Sequence, residues 1–236
     1  MLLSEMEKKS PFRIFEKSIH GGLGKGNIGI FMARAGVGKT ACLVYLALDD
    51  IVRGNKVAHF GVEKSVDKVR VWYDQITNNL VESFQLENAN ELREMVEKNL
   101  IIMSYMNRSF SIDKMRSAIQ TSMHQGGFTP QVVIVDGFDF EHTTRAEVES
   151  FKKIAEEFSL EMWCSARTHR EGQLLNEHGI PAPYSQFEDL LSVIVALDPV
   201  KDAIFLRLLK DHDDFNPPAL HVKLDPKTLL VKTRYT

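Results

Sequence analysis

The chain has 236 residues, 44% hydrophobic and 26% charged, with 14 Gly and 8 Pro, a composition that excludes disordered, collagenous and coiled-coil chains. Lys and Arg number 29 against 32 Asp and Glu, a net charge of −3, so no overall basic field points to nucleic acid or an anionic membrane. Two cysteines, Cys42 and Cys164, are too few for a disulfide scaffold or a zinc site, and the apolar run Ala41 to Leu48 is far short of the ~20 residues of a membrane span. The start MLLSEMEKKS puts charge where a signal peptide needs apolar residues, so the expectation is a soluble, cytoplasmic protein with no membrane contact.

In chain order, β-rich runs alternate with helical patterns. Asn27 to Met32 reads as a strand, followed by a Gly-rich turn and a helix from Thr40 to Arg53 closed by Gly54. Lys56 to Gly61 reads as the next strand. Val69, Trp72, Tyr73, Ile76 and Leu80 recur at helical spacing, as do Leu92, Met95, Val96 and Leu100. Ile101 to Tyr105 is a short strand, and Ile112, Met115, Ile119 and Met123 mark a further helix. Val132 to Val135 is a continuous β-branched run, as a strand buried on both faces requires. Val148, Phe151, Ile154, Ala155 and Phe158 form the next helical stripe, and Glu161 to Ser165 the next strand. Thr168 to Phe187, with Gly172, Gly179, Pro181 and Pro183, has no period and reads as a long loop. Three β-like runs follow, Ser192 to Leu197, Ala203 to Leu209 and Leu220 to Leu224, the first two joined by a hairpin connection at Asp198 to Asp202. This order predicts an α/β fold: a mostly parallel central sheet covered by helices, with antiparallel C-terminal strands. An N-terminal segment, 1–20, precedes a single domain, 21–236.

Ala33-Arg34-Ala35-Gly36-Val37-Gly38-Lys39-Thr40 closely resembles the phosphate-loop pattern G-x-x-x-x-G-K-[ST], departing from it at Ala33. Gly36 and Gly38 let the backbone approach a phosphate and aim its N–H groups inward, at a helix N-terminus that favours anions. Lys39 would reach the β- and γ-phosphates, and the Thr40 hydroxyl would bind Mg2+. Arg34, Ala35, Gly36, Val37, Gly38, Lys39, Thr40 and Ala41 form the expected nucleotide-binding segment. Asp136 ends the apolar strand Val132-Val133-Ile134-Val135 at the edge where ligands of open α/β sheets bind, so it is the expected Mg2+ carboxylate, directly or through water. A cap on the following turn is its bland alternative, and Asp139 is a substitute for the same task.

Upstream, Gly21-Gly22-Leu23-Gly24-Lys25-Gly26 completes the run GGLGKGNIGIFMARAGVGKT. This entry resembles that of the RecA-fold ATPases of the KaiC, RadA and DnaB-helicase group, over nearly the whole chain from about Pro11 to Val231. The resemblance implies a RecA-like P-loop NTPase that binds ATP with Mg2+ and hydrolyses it. It assigns activation of the attacking water to Glu63, in His59-Phe60-Gly61-Val62-Glu63-Lys64-Ser65; the structural alternative is a first-turn Glu of the next helix. Met162-Trp163-Cys164-Ser165-Ala166-Arg167 resembles the group's γ-phosphate-sensing strand, with Ala166 where Gln is common and Ser165, or Thr168, left as the polar contact. Lys210 and His212 match a Lys-x-Arg segment that reaches a neighbouring subunit's ATP site, which implies a homo-oligomer, ring-shaped in some members. Histidine is a weaker phosphate ligand than arginine, and a solvated turn is the alternative for this stretch. Arg70 resembles an arginine of the helicase-type members.

The group's DNA-binding loops should be basic, yet Ala166 to Glu188 carries Arg167 and Arg170 against Glu171, Glu177 and Glu188, which argues against nucleic acid. The expected function is a slow Mg-ATP hydrolase, with Glu63 and Lys39 catalytic, that couples nucleotide state to assembly or loop movement. A catalytically weak ATP-binding switch subunit of a larger machine, with an unidentified protein partner, is the alternative; an accessory DNA-dependent ATPase is the minor one.

Overall fold

The computed structural model describes residues 2, 3, 5, 8, 10–168 and 174–233. The strands are β1 (Asn27–Ala33), β2 (Val57–Val62), β3 (Leu100–Tyr105), β4 (Val132–Asp136), β5 (Glu161–Arg167), β6 (Val193–Val200), β7 (Ala203–Asp211), β8 (Val222–Leu224) and β9 (Val231–Thr233). The helices are α1 (Pro11–Ser18), α2 (Lys39–Val52), α3 (Val66–Phe84), α4 (Ala89–Asn99), α5 (Ile112–His124) and α6 (Arg145–Glu157). One sheet runs β3-β2-β4-β5-β1-β6-β7-β8-β9. Strands β1 to β6 pair in parallel, and β6 to β9 pair antiparallel. This is a mixed α/β fold with a largely parallel core, Rossmann-like in outline.

Side-chain alternation along each central strand fills two cores. In β1, Phe31 and Ala33 face one core while Ile28, Ile30 and Met32 face the other; in β4, Val132 and Ile134 oppose Val133 and Val135. The first core takes α1, α2, α3 and α4 together with the C-terminal strands, and the second takes α5 and α6. A sheet buried on both faces needs the continuous apolar strands that the sequence shows. At Gly29 a Cβ would lie 2.5 Å from the Trp163 ring, so only glycine lets that indole lie flat across β1. Helix α2 is buried along Ala41–Val52, which explains why its sequence is apolar on all sides.

The C-terminal turn of α2 carries two buried acids, Asp49 and Asp50, where the helix dipole disfavours negative charge. Basic partners offset this. Arg13 of α1 bonds Asp49 and meets Glu16 at 2.6 Å, while Arg53 meets Glu16 at 2.9 Å, Asp50 at 2.7 Å and Asp49 at 3.4 Å. Asn55 donates to Asp50 at 2.8 Å. Burial pushes the Asp50 carboxyl up to about 7, although Arg53 and Asn55 oppose the shift. A second tie fastens the turn after α1 to the end of β7. There the fully buried Asp211 meets His20 Nδ1 at 2.5 Å and His212 Nδ1 at 2.7 Å, and His212 Nε2 meets the Leu23 carbonyl at 3.1 Å.

The expected hairpin loop at Asp198 to Asp202 is shorter than the sequence suggests. Both strands continue inward, pairing Val200 with Ala203 and leaving Lys201 and Asp202 as the turn. Pro199 is tolerated because it lies at the far end of a hairpin. Within the loop expected over Thr168 to Phe187, the described part holds an isolated Leu175–Pro181 bridge and a 3-10 turn at Tyr184–Phe187. Arg170, Glu171 and Gly172 lie outside the described residues. Among the described residues no helix is long and apolar enough to cross a membrane.

Candidate functional site

The strand order puts the C-terminal ends of β1, β5, β4 and β2 side by side, with β5 between β1 and β4. Helices following β1 and β2 cover one face, and those following β3 and β4 cover the other, so the loops part near this edge. Such a parting is where open α/β sheets bind ligands. The turn after β1 bends through Gly36 at φ 77° and Gly38 at φ 115° into α2. Besides that left-handed φ, Gly38 has no room for a side chain: its Cβ would lie 2.4 Å from Leu224 Cδ2 of β8. No side chain caps the N-terminus of α2 and its first turn holds no acid, so this helix end is electropositive.

Lys39 folds back over the turn, donating to the carbonyls of Ala33 at 2.6 Å and Arg34 at 2.9 Å. Burial lowers its ammonium pKa to about 8, helped by Lys64 and Arg167 and opposed by Asp136. Thr40 Oγ1 donates to Asp136 Oδ2 at 2.8 Å. Asp136 is 1% exposed, and burial alone would raise its pKa; Lys64, His59 and the Thr40 hydrogen bond outweigh that and hold it below the usual carboxylate range. Lys64 Nζ bonds Asp136 Oδ2 and lies 3.1 Å from Thr40 Oγ1. Lys39, Thr40 and Asp136, singled out in the sequence, therefore converge with Lys64, which sequence reasoning passed over.

Beneath them lies His59, another residue without a sequence signal. It is fully buried on β2, with Nδ1 3.0 Å from the Tyr73 hydroxyl and Nε2 without a hydrogen-bond partner. Burial pushes its pKa down to about 4, so it is neutral at physiological pH. The β2–β4 register, which pairs Gly61 with Asp136, is what brings His59 and Lys64 to this edge. Gly137 lets the two strand ends close up, since a Cβ there would lie 2.5 Å from the Val62 carbonyl.

Other expected site residues have different employment. Ser165 is next door on β5, and its hydroxyl accepts the Gly137 N–H at 2.7 Å. Ala41 is buried in the first core, so only its backbone can face a ligand. Arg34 is half-buried, whereas Ala35 and Gly36 are exposed and Val37 packs against the first core. Glu63 sits at φ 55°, and its carboxylate accepts the backbone N–H of Asn107 at 3.2 Å and of Arg108 at 2.5 Å, on the turn after β3. Asp139, the substitute for Asp136, is exposed and caps the 3-10 turn Phe140–His142. Thr168 donates its backbone N–H to Ala33 at 3.0 Å, and Arg70 pairs with Glu97 of α4 at 2.8 Å.

The solvated turn, the alternative to a neighbour-reaching segment at Lys210, does not fit the structure. Lys210 lies within β7 at 5% exposure, its ammonium bonded to the carbonyls of Glu188 and, at 2.7 Å, Leu191, with the Phe215 ring 5.1 Å away. Its stem crosses apolar neighbours, so the charged string Lys210 to Asp214 reads in sequence as more exposed than it is. His212 is half-buried at φ 54° and engaged by Asp211 and Leu23.

No protein-family model matches the chain, and no curated protein matches it. The fold outline and the side-chain geometry are what bear on function. A helix N-terminus with a glycine turn, two lysines, a hydroxyl and an ionised buried carboxylate can together hold a polyanion and a hard cation.

Proposed function

We propose that the chain is a RecA-like ATPase that binds Mg-ATP at this sheet edge and hydrolyses it slowly. The observation that carries the reading is the 2.8 Å contact between Thr40, first hydroxyl of the helix after the glycine turn, and the buried Asp136 at the end of β4. Backbone N–H groups of 34–41 would cradle the phosphates, and Lys39 would leave its two carbonyls to bind the β- and γ-oxygens. Thr40 and Asp136 supply hard oxygens of the kind Mg2+ takes, and an acid held ionised in a buried place suits a cation. When bound, Mg2+ would neutralise charge developing on the transferred phosphoryl group. Ser165, held by Gly137, stands where it can report on the β4 end. Glu63 is the candidate base for the attacking water, after its carboxylate leaves the 107–108 turn.

That engagement of Glu63 favours a second reading, an ATP-binding switch in which hydrolysis is minor and a protein partner responds to the bound state. Self-association, with Lys210 and His212 acting on a neighbour's nucleotide, belongs to the first reading; it requires both to exchange the contacts they make within their own chain. The two readings separate in a steady-state ATPase assay. Turnover abolished in Glu63→Gln with ATP affinity kept supports the hydrolase, and bound nucleotide without turnover in the natural chain supports the switch. Absence of calorimetric ATP binding would end both.

A further inference from the structure

The ammonium of Lys64 stands on the same two groups, Thr40 Oγ1 and Asp136 Oδ2, that the proposed function gives to a divalent cation. We propose that Lys64 is a built-in cation that competes with the divalent metal for Asp136 and Thr40, so that metal entry requires this side chain to swing out. The inference rests on the proposed role of these two oxygens.

Charge is the first argument. Asp136 is a single buried carboxylate, and Lys64 already neutralises it, with Lys39 nearby. A dication added beside both ammonium groups would place four positive charges against one, an arrangement that a part-buried site does not tolerate. The metal and the Lys64 ammonium therefore exclude one another on Asp136. Phosphate oxygens would favour the metal, and would also offer the displaced ammonium new partners.

Mobility is the second argument. The Lys64 backbone is pinned: its carbonyl accepts the Ser104 hydroxyl at 2.6 Å, and the preceding Glu63 N–H donates to Tyr105 at 2.8 Å. Its side chain is 28% exposed, so the flexible stem can rotate to water without moving β2. The parts that hold position and the part that must move are thus distinct. Burial of Asp136 makes the competition matter, since an acid this enclosed needs one cation or the other.

Manganese, which takes the same oxygen ligands as magnesium and is read by electron paramagnetic resonance, tests this without nucleotide. Lys64→Met should bind Mn2+ at least about tenfold more tightly than the natural chain, which is about 1.4 kcal/mol. Its melting temperature should fall without metal and recover with Mn2+, whereas Lys64→Arg should behave as the natural chain does. In the double variant Lys64→Met, Asp136→Asn, which carries neither charge, Mn2+ should have no effect. Should Lys64→Met fail to fold, amine labelling of the natural chain gives the same answer: Mn2+ should raise the labelling of Lys64 severalfold. Mn2+ affinity unchanged in Lys64→Met, or Lys64 labelling indifferent to Mn2+, overturns the proposal. Calorimetry with ATP, run separately, tests the nucleotide reading, so either can fail while the other stands.

Discussion

The two ends of helix α2 carry comparable charge to opposite purposes. At the C-terminal end, Asp49, Asp50, Glu16, Arg13 and Arg53 are mutually paired and enclosed by α1, with acids placed against the dipole and arginines placed to offset them. At the N-terminal end the dipole faces a glycine turn with no side-chain cap, and the one buried acid is shared between a hydroxyl and a lysine that can leave. The first cluster is closed within the fold, with only Arg13 Nε among its buried side-chain atoms left without a hydrogen-bond partner. The second is balanced by a flexible lysine side chain and by backbone carbonyls, an arrangement that suits the anion and the cation proposed for it.

Substitutions at the two ends should therefore separate binding from stability. The largest effect expected is on ligand affinity: Lys39→Ala should weaken ATP binding by about 100-fold or more at a much smaller cost in stability, because charge-assisted phosphate bonds are lost while the Ala33 carbonyl keeps the Thr168 N–H as a donor. Calorimetry with a parallel melting curve checks this, and equal affinity would dissolve the contrast. Arg53→Met should do the opposite. It leaves Glu16 and Asp49 with Arg13 alone and Asp50 with Asn55 alone, at about 3 kcal/mol of stability, with ATP affinity kept in the fraction that folds. Urea unfolding measures it.

A smaller loss, about 1–3 kcal/mol, is expected for Lys210→Ala, since the carbonyls of Glu188 and Leu191 lose their donor. A change below the resolution of urea unfolding would return Lys210 to the role of an exposed charge. The remaining effect is on pH dependence. Asp50 in the folded chain has its pKa raised from 3.8 to about 7, so the folded state holds a proton that the unfolded state releases. This contribution is fully present below the unfolded value and is lost as pH rises through about 4 to about 7. Asp50→Asn should flatten the fall of melting temperature across that window; a profile parallel to that of the natural chain would remove Asp50 as its cause.

How much of this was legible in the sequence depended on range. The strand β4 and the glycine turn are local patterns, and both stand where the residues put them. Asp49 and Asp50 read merely as the end of an apolar helix, because Arg13 lies on a different helix and its pairing is a product of packing. Lys64 was hidden for a similar reason: its neighbours Thr40 and Asp136 come from a helix and a strand whose places beside β2 are not written in any short segment. Lys210 misled because its charge says surface, whereas two carbonyls and an aromatic ring inside the fold accommodate it. Glu63 shows the converse. The motif supplied a role, but not the two N–H groups at 107 and 108 that now hold its carboxylate.

The contact between Leu224 and Gly38 sets an order of events during synthesis. The glycine turn is made before β8, yet the Leu224 side chain that closes over its back belongs to that later strand. Until β8 has left the ribosome and paired with β7, the turn lacks that support. A nascent chain can therefore carry the glycine turn and still present a loosely held loop. Contacts this distant in sequence are slow to form. The final form of the turn is thus set by β8 rather than by the residues that spell it.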